Sequence, residues 1–335
     1  MKVAIVTDKP RIKYLPTEEG IIEDRQKKKT VAELKEVLSK KFSCIDLTLD
    51  DNIISRLKSE KVDLVFNLCN GIRGDSSIAQ LPAILEFAGI PYTSSSPLGH
   101  ALAYNKIYSC KILQQSKIPT PKFTYINDIN EIEKLNVRYP ILIKPNDEGS
   151  SRGINDDSLV YNKKSLKEKV EEELETYGSP IMLTEYIEGR EFTVGVLGNG
   201  DDIHVLPILE IDFSKIPKGL SKFYSFEIKS HYGKDTLYHV PAILDKKTKA
   251  VIEETAINAY KTLLMRDYAR VDIRLKNDIP YVIEINSLPG LKRGHSDICK
   301  MVEACDIGYE GLVFSIVKNA LNRCALEDEL KHKSV

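Results

Sequence analysis

Two stretches, Arg270-Val271-Asp272-Ile273-Arg274-Leu275 and Tyr281-Val282-Ile283-Glu284-Ile285-Asn286, decide the reading of this chain. Side chains on a strand alternate between faces. In the first stretch Ala269, Val271, Ile273 and Leu275 predict a core side, so Arg270, Asp272 and Arg274 share the other. In the second, Tyr281, Ile283 and Ile285 predict the core side, and Glu284 and Asn286 lie opposite. With 276–280 as a loop and Leu275 across from Tyr281, Asp272 faces Glu284 and Arg270 faces Asn286. Two carboxylates directly across a ladder repel unless a cation lies between them. Asp, Glu and Asn offer only hard oxygen donors, which select Mg²⁺ or Mn²⁺ over zinc. A solvated face is the ordinary explanation of one exposed carboxylate; it accounts less well for two carboxylates, an amide and an arginine on one face. Pro289-Gly290 then brings a bare backbone amide towards the same side.

A second anion-binding element lies upstream. Lys144 ends an apolar strand and leads into Glu148-Gly149-Ser150-Ser151-Arg152-Gly153. Consecutive amides in such a turn can cradle phosphate oxygens, and a strand-end lysine adds a point charge. There is no G-x-x-x-x-G-K-[ST] and no G-x-G-x-x-G after a strand, so neither a Walker-type site nor a standard dinucleotide fold is supported. Lys106 and Lys229, taken singly, read as solvated lysines. Nucleophilic catalysis has little support: no G-x-S-x-G occurs, and Cys69 beside Asn70 has no evident histidine partner. His231, His239 and His295 lack metal-ligand spacing and read as surface or loop residues.

The rest of the chain supplies the scaffold. Residues 3–6 and 62–68 are buried-strand runs, with helical spacing at 31–38 and 78–87 and a Gly89 stop. Strands alternating with helices predict a parallel α/β unit over 1–103. Residues 104–187 read as an α+β unit, with helices at 105–115, 129–135 and 166–174 and strands at 139–144 and 180–183. Residues 188–335 read as a strand at 191–197, a polar stretch at 214–238, a helix at 247–264, the hairpin and a C-terminal helix near 309–321. The last five residues read as a frayed tail.

Length and charge agree. A chain of 335 residues holds two or three domains. Lys plus Arg is 48 and Asp plus Glu is 49, a net charge of −1, which argues against a general grip on nucleic acid or anionic lipid. No apolar run is long enough for a membrane span, and the run ending before Asp8 is too short for a signal peptide. The six cysteines include no C-x-x-C pair and read as buried thiols, so the expected compartment is a reducing cytoplasm.

Taken together, these residues resemble the ATP-grasp superfamily, and within it the D-alanine–D-alanine ligase-like group. Five segments carry the likeness: Phe66-Asn67-Leu68-Cys69-Asn70-Gly71 with Gln80-Leu81-Pro82-Ala83-Ile84-Leu85-Glu86; Asn105-Lys106; Lys144-Pro145 through Gly153; Glu185-Tyr186-Ile187-Glu188-Gly189-Arg190-Glu191; and Arg270-Val271-Asp272 with Glu284-Ile285-Asn286-Ser287-Leu288-Pro289-Gly290. The resemblance implies a three-domain α/β ATP-grasp fold in which the second and third domains clasp ATP. It implies that Lys106 and Lys144 contact phosphates, that Ser150 and Ser151 form a lid, and that the backbone of Glu185 and Ile187 reads adenine. Glu191 would take the ribose hydroxyls, and Asp272, Glu284 and Asn286 would hold Mg²⁺ (or Mn²⁺). Lys229 would reach the γ-phosphate, and Arg270 with the Gly290 amide would stabilise the oxyanion. Substrate contacts are implied at Glu23, Ser230, His231, His295 and Ser296, and a homodimer is implied for the assembly.

The activity this implies is ATP-dependent carboxylate–amine ligation of small amino acids through an acylphosphate. The alternative is a nucleotide-binding regulatory or interaction protein on the same scaffold, which would not need the full Asp272, Glu284 and Asn286 set. The chain departs from the dipeptide-forming members at Asn70-Gly71-Ile72-Arg73-Gly74-Asp75, at Thr184, and at Ser230, where those members usually carry a tyrosine after the loop lysine. D-alanine alone is therefore expected to be a poor substrate.

Overall fold

The computed structural model describes residues 1–10, 18–71, 74–149, 151–178, 180–217, 220, 222–225, 228 and 236–333, and the side chains of all of these except 18–20, 23 and 326–333. The chain starts with β1 (Lys2–Thr7), α1 (Glu18–Leu38), β2 (Ser43–Thr48), α2 (Ile53–Ser59) and β3 (Leu64–Asn67). β1 lies between β2 and β3, parallel to both. Its alternation explains why it is central. Val3 and Ile5 pack with Leu34, Leu38 and Phe66 on one face, while Ala4 and Val6 pack with Leu49, Ile53, Leu81 and Leu85 on the other. Parallel sheets need such cover on both sides.

α3 (Gln80–Ala88) ends at Gly89, whose φ of +67° suits the left-handed stop. The helical spacing predicted from 78 starts later: a short 3₁₀ turn, Ser77–Ala79, precedes the α-helix. α4 (Pro97–Tyr104) is capped by Ser96. α5 (Lys106–Gln115) is capped by Asn105, whose side chain accepts from Tyr108 N–H at 3.0 Å.

A second sheet holds β4 (Phe123–Ile126), β5 (Ile141–Pro145), β6 (Leu159–Val160) and β7 (Ile181–Glu185), in the order β4-β7-β5-β6 and antiparallel throughout. α6 (Lys163–Tyr177) covers it through Leu166 and Val170. The helix predicted over 129–135 is instead a 3₁₀ segment, Ile129–Lys134.

The third sheet is built from β8 (Arg190–Asn199), β9 (Asp202–Val205), β10 (Leu209–Asp212), β11 (Leu237–His239), β12 (Tyr268–Lys276) and β13 (Ile279–Asn286). α7 (Lys246–Thr262) packs Ile252, Ala256 and Ala259 against Phe192, Val194, Val271 and Ile273. α8 (Asp297–Glu303) and α9 (Gly308–Lys333) follow, and α9 runs well past the predicted end near 321. The predicted frayed tail is helical through 333 and otherwise lies outside the described residues.

The hairpin corrects one expectation in detail. The predicted pairs Asp272–Glu284 and Arg270–Asn286 are in register, but beyond Asp272 the ladder shifts by one, pairing Ile273 with Val282 and Leu275 with Pro280. The turn is two residues, Asn277-Asp278, at φ +51° and +61°, the left-handed pair that matches strand twist. An extra residue in one strand reverses the alternation beyond it. Val282, not Ile283, therefore enters the core, and Tyr281 and Ile283 are only partly buried.

Asp267, fully buried, ties the third sheet to the first unit. It accepts from Arg323 Nη2 at 3.1 Å, Ser94 N–H at 2.8 Å and Asn199 Nδ2 at 3.0 Å. All six cysteines are free, and Cys69, Cys110 and Cys299 are buried as expected, whereas Cys44, Cys305 and Cys324 are partly exposed. Among the described residues no helix is long and apolar enough to cross a membrane.

Candidate active site

Three neighbouring strands put one polar stripe on the face turned away from α7. On β8, Glu191 and Thr193 lie directly across from Arg274 and Asp272 of β12, and Asp272 and Arg270 lie across from Glu284 and Asn286 of β13. Period two places all seven on one side, and the register makes them neighbours. Arg270 grips Asp272 with two parallel bonds, Nε to Oδ1 at 2.8 Å and Nη2 to Oδ2 at 2.7 Å. Thr193 Oγ1 donates to Asp272 Oδ1 at 2.6 Å, and Asn286 Nδ2 to Oδ2 at 2.9 Å. Asn286 spends its N–H on Asp272, so its carbonyl oxygen remains as a donor to a cation. Arg270 also lies 3.6 Å from Asp297.

Two buried lysines meet this stripe. Lys106, read alone as solvated, is only 6% exposed, because Asn105 starts α5 where the chain folds under the loop at 148–153. Its ammonium lies 3.9 Å from Glu284 Oε2 and donates to the Glu148 carbonyl. Lys144, at the end of β5, points its Nζ at the Ile283 carbonyl, 3.5 Å away. Burial pushes the Glu284 carboxyl up, but Lys106, Lys144 and Arg270 outweigh it and hold it below the ordinary range. Burial pushes Lys106 down, against the pull of Glu284. Glu284 is thus ionised at neutral pH, as a metal ligand must be. The donor set of two carboxylates and one amide oxygen fits Mg²⁺, which takes few protein ligands and completes its shell with water and phosphate.

A cleft of about 800 Å³, counting its open mouth, separates the second and third sheets. Leu142, Ile154, Ile187, Phe223 and Ile283 give it apolar walls, so the bulge that displaced Ile283 from the core supplies a cleft residue. Glu185 begins the crossing between the sheets, its N–H bonded to the Lys122 carbonyl at 2.8 Å. Thr184 turns its hydroxyl to the Leu142 carbonyl at 3.2 Å. Glu191 accepts from Arg274 Nη2 at 2.6 Å. Burial raises the Glu191 carboxyl and Arg274 opposes the rise. The roof is two segments in contact: Ser151 Oγ donates to the Tyr224 carbonyl at 3.1 Å, and Tyr186 and Arg274 both donate to the Lys222 carbonyl.

Two more cavities continue this cleft. One, of about 510 Å³, shares Glu284 with it and adds Lys106, Glu148, Arg152 and Asn286. The next, of about 640 Å³, shares Asn70 and Leu288 with the second and reaches Gly290, Lys27 and Lys292. The three cavities thus follow one another through shared lining residues, from the cleft past Glu284 and Asn286 to Gly290.

The loop at 148–153 ends at a position that only glycine fits. Gly153 has φ +68°, and a Cβ there would fall 2.5 Å from Pro145 Cγ and 2.8 Å from Glu173 Oε2. That Glu173 oxygen is buried without a hydrogen-bond partner. Burial pushes the Glu173 carboxyl up to about 7, despite Lys169 at 3.2 Å. An unfolded glutamate titrates at about 4.3. The folded state therefore favours the neutral acid, and this contribution is full below the unfolded value and lost as pH rises through about 7. Glu173→Gln keeps the shape and leaves Lys169 paired with Asp157 and Glu172. We expect it to raise Tm more at pH 8 than at pH 5 in a thermal melt; an equal or larger gain at pH 5 would contradict the assignment.

The structure thus brings together Lys106, Lys144, Ser151, Glu185, Ile187, Glu191, Arg270, Asp272, Glu284 and Asn286 around one path. Gly290 lies farther along it with Ser296, whose Oγ accepts from Lys292 N–H at 3.0 Å. His295 is at the edge, its Nε2 3.3 Å from Gln26 Nε2. Ser150, Lys229, Ser230, His231 and the side chain of Glu23 lie outside the described residues. His239 is half-exposed beside Asp212 at 3.2 Å, away from the path. The sequence reading assigned no role to Thr193, Arg274 or Tyr224. The first two were discoverable, since they occupy the same-face positions of β8 and β12; Tyr224 sits in an irregular segment with no periodic signal.

Comparison with known proteins places these features in context. Residues 112–318 match the family described as "D-ala D-ala ligase C-terminus". D-alanine--D-alanine ligase A of Clostridium perfringens (strain 13 / Type A) is 32% identical over 286 residues, covering 84% of this chain and 88% of that protein. A protein of Sinorhizobium fredii, y4sG, is 34% identical over 261 residues, covering 78% and 75%. The crystal structure of the D-alanine--D-alanine ligase from Bacillus anthracis complexed with ATP superposes with a TM-score of 0.74 at 25% identity, covering 98% of this chain and 99% of that one.

Proposed function

The chain belongs to the D-alanine–D-alanine ligase family of ATP-grasp enzymes, and from that premise we propose how its own residues divide the work. It is an ATP-dependent ligase that forms a carbon–nitrogen bond, which sets aside the regulatory-protein alternative. In our reading residues 1–103, 104–187 and 188–335 act as three units. The cleft between the second and third sheets takes ATP, with adenine at Glu185 and Ile187, ribose at Glu191, and phosphates at Lys106, Lys144 and the loop at 148–153. Asp272, Glu284 and Asn286 would hold Mg²⁺, which supplies charge neutralisation at the transferred phosphoryl group.

A substrate carboxylate oxygen attacks the γ-phosphorus. The bond from that phosphorus to the bridging β–γ oxygen breaks, and ADP leaves with the electron pair. The amine of the second substrate then attacks the acyl carbon and the C–O bond to phosphate breaks. Phosphate leaves, and the ammonium proton passes to solvent. Arg270 and the Gly290 amide face the developing oxyanion, Lys106 and Lys144 the transferred charge. Positioning and preorganised charge do this work; no protein nucleophile is needed.

The observation that carries this reading is the three-strand register, which sets two carboxylates and an amide oxygen beside two buried lysines at the mouth of the cleft. The substrates are a carboxylate and an amine of amino-acid size. Neither nucleic acid nor a membrane is a partner in this reading, the site of action is the cytoplasm, and the assembly is a homodimer. The test is ADP release on mixing the protein with Mg·ATP and pairs of amino acids, with the product weighed by mass spectrometry. We expect release to require both an amino acid and the metal, and product mass to equal the two substrates minus water. Release independent of any amino acid would contradict the ligase reading.

A further inference from the structure

A buried histidine joins the first unit to the strand that carries the acidic face. His100 lies on α4, fully buried, and both of its ring nitrogens are hydrogen-bonded. Asn67 Oδ1 accepts from Cys69 N–H at 2.9 Å, which turns Asn67 Nδ2 to Ser94 Oγ at 3.2 Å. Ser94 Oγ therefore points its own proton at His100 Nε2, 2.9 Å away. Nδ1 then carries the ring proton and donates to Ser287 Oγ at 2.7 Å. Burial pushes the ring down to about 3, so it is neutral and needs no counter-charge.

Ser287 is the residue after Asn286, just past the end of β13, where Ile285 packs with Ala103 of α4 in the core. The far end of α4 meets the same strand. Asn105 caps both α4 and α5, and the next residue, Lys106, has its ammonium 3.9 Å from Glu284 Oε2. On another side α4 is seated closely, since a Cβ on Gly99 would fall 2.6 Å from the Leu264 carbonyl oxygen. One helix thus grips β13 at two points, His100 on Ser287 and Lys106 on Glu284. Losing the first leaves a buried hydroxyl without its histidine partner and frees the segment that starts at Asn286 and ends at the Gly290 amide. A displacement of about 1 Å at such groups is enough to cost up to ~10²-fold in rate.

We propose that His100 is a positioning residue for the phosphoryl-transfer site: by holding Ser287 it fixes the end of β13, and with it Asn286 and the seat of Lys106 against Glu284. The proposal rests on the ligase reading above and deepens it.

The test compares two variants that each keep one of the two bonds. The amide of His100→Asn reaches as far as Nδ1 and can still bond Ser287; that of His100→Gln reaches as far as Nε2 and can still bond Ser94. Binding of a non-hydrolysable ATP analogue is titrated with Mg²⁺ by calorimetry on the full chain, alongside Tm and ADP release. Both variants are expected to lower Tm by similar amounts. His100→Gln and Ser287→Ala are expected to raise the Mg²⁺ concentration for half-maximal binding by about tenfold, the scale set by partners behind a metal ligand, and to lower kcat; His100→Asn is expected to stay close to the parent protein. A folded His100→Gln variant with parental Mg²⁺ dependence, or a His100→Asn variant equally impaired, would overturn the proposal. Where neither His100 variant folds, Ser287→Ala decides, and parental Mg²⁺ dependence in it would overturn the proposal. Analogue binding by the parent protein that does not depend on Mg²⁺ would overturn it together with the metal assignment. The expected Mg²⁺ pattern with no ADP release from any amino-acid pair would count against the ligase reading and leave the positioning role standing.

Discussion

Glu284→Gln is expected to abolish turnover, by roughly 10³-fold or more at saturating Mg·ATP, the scale at which single preorganised electrostatic groups act. The substitution keeps shape and removes one charge from a balanced set. Glu284 is the carboxylate that Lys106, Lys144 and Arg270 converge on, and it is directly across from Asp272. Without it, the Glu148 carbonyl remains as the hydrogen-bond acceptor of the buried Lys106 ammonium among the described residues, and the proposed metal loses one of two carboxylates. The core behind the hairpin, Val271, Ile273, Val282 and Ile285, is untouched, so circular dichroism and Tm should stay close to the parent protein. Near-normal ADP release from a folded Glu284→Gln variant would remove the metal assignment.

Asp267→Ala should have the largest effect on stability. Removing one partner of a buried ion pair strands the other, at about 3–5 kcal/mol. Here the stranded group is Arg323, held by both oxygens of Asp267 at 3.2 and 3.1 Å, and the Ser94 amide loses its acceptor as well. Arg323 also donates to the Tyr92 carbonyl at 2.8 Å, so the damage spreads to the junction between the first unit and α9. Loss of soluble protein, or a fall in denaturation midpoint of that size, is the expected result. A midpoint unchanged from the parent protein would show that this junction does not hold the units together.

What was legible in the sequence follows from what kind of signal each feature leaves. The polar stripe on β12 and β13 was legible because strand alternation is local, and the pairs Asp272–Glu284 and Arg270–Asn286 followed from it. The bulge was not legible. It depends on a two-residue Asn277-Asp278 turn competing with the longer loop that Lys276 and Pro280 advertise. The error moved Ile283 from the core to the cleft wall. Lys106 shows the complementary failure. A single lysine after a capping Asn has no local mark of burial; its surroundings come from Glu148 and Glu284, 42 and 178 residues away in sequence. Asp267 left no signal at all, since its partners come from 94, 199 and 323.

The central claim is that this acidic face serves transfer of a phosphoryl group to a substrate carboxylate. The most direct measurement uses an amino-acid substrate with both carboxylate oxygens labelled as ¹⁸O, in the full reaction with Mg·ATP. An acylphosphate path forms the bond between a carboxylate oxygen and the γ-phosphorus and later breaks the carbon–oxygen bond. The account therefore predicts that each phosphate released with product carries one ¹⁸O. Phosphate free of label, alongside normal amide formation, would contradict it.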